Sequence, residues 1–456
     1  MHIQHYKREL GLKESLAIII GRIIGSGIFK TPAPIMLLSG SIITFFGTWI
    51  IGGILTILSA MLYAEMVATF PKSGGPYEYL KKAYHPIVPF LRGWAMFFVS
   101  ETSSIVIVSI VFSEYLLKVL MILYNINGNF LLEMSFTIML IWIFTFLNCY
   151  GLKFSGWLQN ILSLLKIFAL FYIFIICFNN QPTNIATYIN FDDFSLSSFF
   201  MGIGASLRYA FFAYSGWEGA TYVAEEVKNP SKNLPISLFL GIICVIILYL
   251  ITNLAYLSQL SPEELANSKF VAADAIQKAL GDLAALIICI IIIINTASNV
   301  NAQIFTKSRT WHAMARDGLF FSFLKNLNKN SLPVSSLIFQ GFWATVLTLL
   351  AYSSYFLKSS VSIYDRIIDF FSFTSAVFNV LTIIAVLILR KKYPNVYRPY
   401  KVRFLYPIFF IVLSIYGFYS FYTLYTAFYE SLIGILLTLT GLIYWYFIID
   451  KNQLKE

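Results

Sequence analysis

Two short stretches of this sequence hold the residues that could act on a small charged molecule. The run Ile20 to Phe29 contains Gly21, Gly25, Ser26 and Gly27, and Thr31-Pro32 and Pro34 come directly after it. Each glycine weakens a helix by about 1 kcal/mol, so an apolar helix is expected to break here. The run Phe212-Ala213-Tyr214-Ser215-Gly216-Trp217-Glu218-Gly219 places small residues and a carboxylate at comparable depth in a second apolar segment. A helix broken in mid-membrane exposes N–H groups that suit a carboxylate and carbonyls that suit an ammonium. An amino acid needs both. Close helix packing is the structural alternative, because Gly21 and Gly25 also form a GxxxG pattern.

Charged residues inside apolar segments are the next candidates. A charge at the centre of a membrane helix costs about 2.5 to 3.5 kcal/mol on insertion scales unless it is paired or neutralised, so Glu218 is expected to have a role. It could bind a cationic side chain, carry a proton, or pair with Arg208. Arg208 and Lys30 fall in the outer halves of the two interrupted segments, where snorkelling to the outer interface is the expected behaviour and lining of an access path the alternative. Lys166 stands about nine residues inside Trp157, about 14 Å deep at 1.5 Å per residue, from where a long side chain could just snorkel. Glu65, near the inner end of the second apolar segment, is expected to have a structural partner. Thr102, Ser103 and Ser104 could face a site or bond to their own helix. The histidines, His2, His5, His85 and His312, are too scattered for a metal site, and no P-loop offers ATP-driven pumping. No clustered acid, base or metal set suggests an enzyme.

The elements that would position these groups follow from composition. The 456 residues are 58% hydrophobic and 12% charged, against about 25% charged in a soluble domain. A soluble fold is excluded, and the short alternating segments of a membrane barrel are absent. Apolar runs long enough to cross a bilayer recur along the chain. They give about twelve spans, near 12–38, 42–70, 86–120, 131–150, 157–178, 197–222, 236–259, 281–306, 333–354, 366–390, 405–427 and 431–449. The net charge of +10 could suggest nucleic acid, but the basic residues lie in short loops between apolar helices. With the N-terminus in the cytoplasm, about 22 of the 32 Lys and Arg residues fall on the inner side, as the positive-inside rule requires. The loop from Ser261 to Gly281 carries Ser-Pro-Glu-Glu ahead of an amphipathic pattern, which predicts a short helix. The cysteines, Cys149, Cys177, Cys244 and Cys289, all lie in apolar segments and suggest packing.

The interrupted segments are the first and sixth spans, and that five-helix separation points to an inverted repeat around a central site. Gly25-Ser26-Gly27-Ile28-Phe29 resembles the first-helix signature of the amino acid–polyamine–organocation superfamily, particularly its L-type amino acid transporter branch. Further stretches resemble the same family in the same order from about residue 12 to 405. They are Tyr63-Ala64-Glu65 with Pro71-Lys72-Ser73-Gly74-Gly75-Pro76-Tyr77, Thr221 to Pro235, Ala315-Arg316-Asp317-Gly318, and Arg398-Pro399-Tyr400.

The resemblance implies an all-α membrane protein with 12 transmembrane helices, a LeuT-type 5+5 inverted repeat plus two C-terminal helices. Residues 1–456 would form one transmembrane domain, with repeats near 12–178 and 197–390 and the added helices within 405–449. It implies that the backbone of Gly25, Ser26 and Gly27 holds the substrate carboxylate. Carbonyls around Ile24, Phe212, Ala213 and Ser215, beside Gly216, would hold the α-amino group, and Phe212 would be an aromatic lid. Glu218 stands where the L-type branch more often has Asn, which leaves the substrate's charge open. Lys166 matches a lysine of that branch, placed where sodium-coupled relatives bind a cation, so sodium independence is implied.

The expected function is secondary active amino acid transport across the cell membrane by alternating access. Exchange and proton-coupled uptake are the variants, both termini are cytoplasmic, and no cofactor, metal or nucleic acid partner is expected. An ion channel, or a carrier of cationic amino acids or polyamines, is the alternative. Eukaryotic L-type subunits join a glycoprotein through a cysteine in the loop between the third and fourth helices. Here that loop, Tyr124 to Phe130, has none, so no disulfide-linked heavy subunit is expected.

Overall fold

A computed structural model of the chain describes residues 8, 10–72, 74–126, 128–150, 155–180, 185–188, 195–330, 332–353 and 362–447, the side chains of residues 155–164, 186 and 223 excepted. His2, His5, Ser73 and both chain ends, for which the sequence raises expectations, lie outside the described residues. The protein is an all-α, multi-pass membrane protein. Ten helices among the described residues are long and apolar enough to cross a membrane.

The first expected span is divided into α1 (Leu12–Ile23), α2 (Gly27–Lys30) and α3 (Pro32–Ser39), none of which could cross a bilayer alone. The chain continues through α4 (Ile42–Thr69), α5 (Pro76–Ala83) and α6 (Ile87–Ala95). A π turn at Met96–Ser100 joins α6 to α7 (Glu101–Tyr124), so the third expected span is a single interrupted rod, Ile87–Tyr124. Next come α8 (Phe130–Cys149), α9 (Ser155–Asn179) and α10 (Leu196–Ala213), which covers the first part of the sixth expected span. Beyond α10 the backbone does not resume as α-helix but winds as a 3-10 stretch, Trp217–Glu226, before α11 (Pro230–Gln259).

The segment between residues 261 and 281 forms two short helices, α12 (Pro262–Asn267) and α13 (Val271–Leu280). The Ser261 hydroxyl accepts from the Glu264 amide while the Glu264 carboxylate accepts from the Ser261 amide, so the Ser-Pro-Glu-Glu motif does cap a helix. The long α14 (Asp282–Arg316) runs ten residues past its expected end at 306. After it come α15 (Val334–Ser353), α16 (Ile363–Lys392), α17 (Leu405–Thr426) and α18 (Phe428–Phe447).

Helix α11 packs on both α1 and α4, while α14 packs on α7 and α13. The interrupted segments are thereby held inside the bundle. Buried rings reinforce this: Trp49 of α4 meets Tyr214 and Tyr249 edge-on at 5.8 and 5.6 Å. Glu65, 2% exposed, accepts two 2.6 Å bonds from the Arg390 guanidinium and one from the Val402 amide, with Arg398 at 3.6 Å. A buried carboxylate needs such partners, and α4 is thus tied to α16 and the segment after it. This marks one end of the molecule as the Glu65 end.

The opposite end, marked by Lys30, overturns one expectation. Lys30 and Arg208 do not snorkel. Lys30 pairs with Glu114 of α7 at 2.6 Å, and Arg208 pairs with Asp369 of α16 at 2.8 Å and donates to Thr426. Carboxylates on neighbouring helices give each cation a partner inside the protein, which removes the need to reach an interface. The proposed pairing of Arg208 with Glu218 fails for the same reason.

Candidate functional site

Helix α1 ends at Ile23 because Gly25, Ser26 and Gly27 follow after Ile24, and its Gly21 and Ile23 carbonyls are met from outside. Lys166 of α9, 1% exposed, donates from Nζ to the Gly21 carbonyl at 2.8 Å. A cation at a helix C-terminus opposes the negative end of the dipole. The Tyr249 hydroxyl of α11 lies 2.9 Å from the Ile23 carbonyl and 3.2 Å from the Ala213 carbonyl, within bonding distance of both interrupted segments.

Beyond that end, the amides of Gly25, Ser26 and Gly27 make no hydrogen bond among the described residues. The Ser26 hydroxyl, 1% exposed, is likewise without a partner. Buried donors in this condition are costly, by about 1 to 3 kcal/mol each, so their clustering marks a candidate ligand site. Glycine is required at position 27: a Cβ there would lie 2.7 Å from Ala213 Cα.

The second break has a different make-up. Gly216 adopts φ +91°, a left-handed conformation that glycine tolerates, and turns the chain out of α10. The Phe212 carbonyl already accepts from the Ser215 amide at 3.0 Å and its hydroxyl at 2.7 Å. The Ala213 carbonyl shares the single Tyr249 hydroxyl proton with the Ile23 carbonyl. The Ile24 and Ser215 carbonyls accept no hydrogen bond among the described residues. Of the four carbonyls expected to face an ammonium, these two are the free ones.

A cavity of about 130 Å³ joins the two breaks. It is lined by Gly25, Ser26, Gly27, Phe212, Ala213, Ser215, Gly216, Glu218 and Lys166, so every expected site residue except Ile24 borders it. Ile24 is fully buried beside it. Phe212 is 5% exposed and stands edge-on to Phe371 at 6.0 Å and Tyr364 at 6.2 Å. Of Thr102, Ser103 and Ser104, only Ser104 borders the cavity; Thr102 donates to the Phe97 carbonyl and Ser103 to the Val99 carbonyl of their own rod.

Sequence reasoning missed several cavity groups: Arg22, Arg92, Glu101, Asn299, Gln303, Lys307 and Asn379. Polar side chains inside apolar α14 and α16 were the available signal. Glu218 makes no ion pair among the described residues. Arg22 passes close to it, since a Cβ at neighbouring Gly219 would meet Arg22 Cδ at 2.3 Å. No group of three or more His, Cys, Asp or Glu residues suited to a metal ion occurs among the described residues.

With this geometry in place, comparison with known proteins is informative. Residues 10–449 match the family described as amino acid permease. The large neutral amino acids transporter small subunit 2 of Mus musculus is 32% identical over 418 residues, covering 89% of this chain and 75% of that protein. Asc-type amino acid transporter 1 of the same species is 30% identical with the same coverage. The human cystine/glutamate transporter is 28% identical over 463 residues, 98% of this chain and 86% of its own. The chain belongs to the amino acid permease family.

Proposed function

We propose that this protein is a secondary active carrier of amino acids that works by alternating access, exchanging them or moving them with protons, without sodium. One observation carries the reading: unpaired amides at Gly25 to Gly27 and the unpaired carbonyl of Ser215 border one cavity, with the unpaired Ile24 carbonyl in the adjoining residue. An α-carboxylate and an α-ammonium complement that pair of surfaces. Relatives named as transporters of large neutral amino acids and of cystine and glutamate support the substrate class. A permease moves its substrate unaltered, so no catalytic group or cofactor is invoked.

In this reading the bundle is a twelve-span, LeuT-type fold with two five-helix repeats, near 12–178 and 197–390, and two added helices. The ten long helices, the divided first span and the apolar Leu165–Asn179 stretch of α9 accommodate that count. The Glu65 end is cytoplasmic, as the distribution of basic residues favours, and so are both termini. Lys166 takes the place of a coupling cation beside the end of α1. A second positive charge about 4 Å away would be repelled by roughly 4 kcal/mol at an effective dielectric of 20. No disulfide-linked heavy subunit is invoked, since the loop from Tyr124 to Phe130 has no cysteine.

Uptake of labelled L-amino acids into proteoliposomes tests the reading. Saturable, stereoselective uptake that persists when choline replaces sodium is expected. Uptake that depends strictly on sodium would overturn the coupling, and unsaturable uptake without stereoselectivity would overturn the carrier itself.

A further inference from the structure

Past the two breaks the cavity extends toward the Glu65 end, where its wall is charged. Lys307 of α14 spends all three ammonium donors on neighbours: Glu101 Oε2 at 2.7 Å, the Glu101 carbonyl at 2.9 Å and Gln303 Oε1 at 2.5 Å. Its side chain is 7% exposed, whereas that of Glu101 is 22% exposed and makes this one ion pair among the described residues. Glu101 is therefore the more available member, with Lys307 neutralising it from behind.

The position of Glu101 has a local cause. The π turn at Met96–Ser100 inserts one residue into the third rod, which rotates the remainder of the rod by about 100° relative to an unbroken α-helix. Met96, Ser100, Glu101, Ser104 and Val108 all border the cavity as a result. Such turns recur at functional sites, because they aim side chains that a regular helix would send elsewhere.

Four cations, Arg22, Arg92, Lys166 and Lys307, line the cavity against two carboxylates, Glu101 and Glu218. Asn299 stands against Gly25, and Lys307 lies eight residues beyond it, about 12 Å along α14. In the carrier reading, a substrate that leaves Gly25 to Gly27 toward the Glu65 end passes this stretch. A side-chain cation meets a surplus of positive charge there.

Resting on the amino acid carrier reading, we propose that the Glu101–Lys307 pair sets the charge selectivity of transport, admitting neutral side chains and excluding cationic ones. Lys307 cancels the Glu101 carboxylate that would otherwise attract a cation, which leaves the positive surplus of Arg22, Arg92 and Lys166 over Glu218 to exclude it. Glu101 holds Lys307 in place and limits the pull of the wall on acidic side chains.

Competition against uptake of a labelled neutral amino acid in proteoliposomes tests this, using L-glutamine, L-arginine and L-glutamate as unlabelled probes of similar length. In the wild type, arginine should compete at least tenfold less well than glutamine. Lys307→Gln should raise the arginine-to-glutamine ratio about tenfold or more, because it leaves Glu101 uncompensated. Glu101→Gln should instead favour glutamate, and the double variant, which restores the net charge, should return the ratios toward wild type. Wild-type arginine competing as well as glutamine overturns the proposal without any variant having to fold. So do single variants that lower all three probes alike, which is what a purely structural pair would give. Should no amino acid compete in the wild type, the carrier reading itself fails, a result distinct from both.

Discussion

The two breaks are made from different materials. The first is made by removing side chains: Gly25 and Gly27 leave amides uncovered, and the preceding helix end is finished by Lys166 and Tyr249 from two other helices. The second is made by turning the chain: Gly216 reverses the sign of φ, the next residues wind as a 3-10 stretch, and Ser215 folds back onto the Phe212 carbonyl. The first break thus offers unpaired donors, while the second offers few unpaired acceptors and the ring of Phe212. In the proposed reading, anion recognition is concentrated in the first and closure in the second.

This contrast can be broken experimentally, beginning where the effect is largest. Gly27→Val would place a branched side chain against the Ala213 backbone, which cannot move aside as a flexible side chain could. Uptake should fall to background while membrane insertion, followed by fractionation, is retained. Lys166→Ala leaves the Gly21 carbonyl buried without its partner, a loss of about 1 to 3 kcal/mol. Turnover should drop about tenfold, more than binding weakens, since the bond ties α1 to α9; unimpaired turnover would contradict it.

At the second break, Gly216→Ala forces a left-handed residue to carry a Cβ, at about 1 to 2 kcal/mol, with the Arg22 carbonyl 3.0 Å away. A several-fold loss of maximal rate is expected, with carboxylate recognition preserved. Tyr249→Phe removes the hydroxyl shared by both breaks. It should lower the melting temperature by the equivalent of about 1 kcal/mol and slow uptake a few-fold. An effect as large as that of Gly27→Val would dissolve the distinction between the two breaks.

Much of the site was legible because glycine and buried charge are conspicuous in an apolar sequence. Gly25 to Gly27, Gly216, Glu218 and Lys166 stand out in this way, and all of them border the cavity. Glu65 announced its need for a partner, though not that Arg390 would supply it from 325 positions away. Long-range pairing is where sequence reasoning stopped. Lys30 and Arg208 look like snorkelling cations until Glu114 and Asp369 are brought beside them by packing of separate helices. The π turn at Met96–Ser100 has no residue signature, so the direction of Glu101 could not be read. Tyr249 was hidden among 29 tyrosines.

Recognition of the α-carboxylate by the first break is the central claim. Its most direct test is competition for uptake by each transported amino acid and by the amine left when its carboxylate is removed. The amines should compete at least tenfold less well than their parents, because the amides of Gly25 to Gly27 then face nothing that can accept their hydrogen bonds. Amines that compete as well as the parent amino acids would contradict the account.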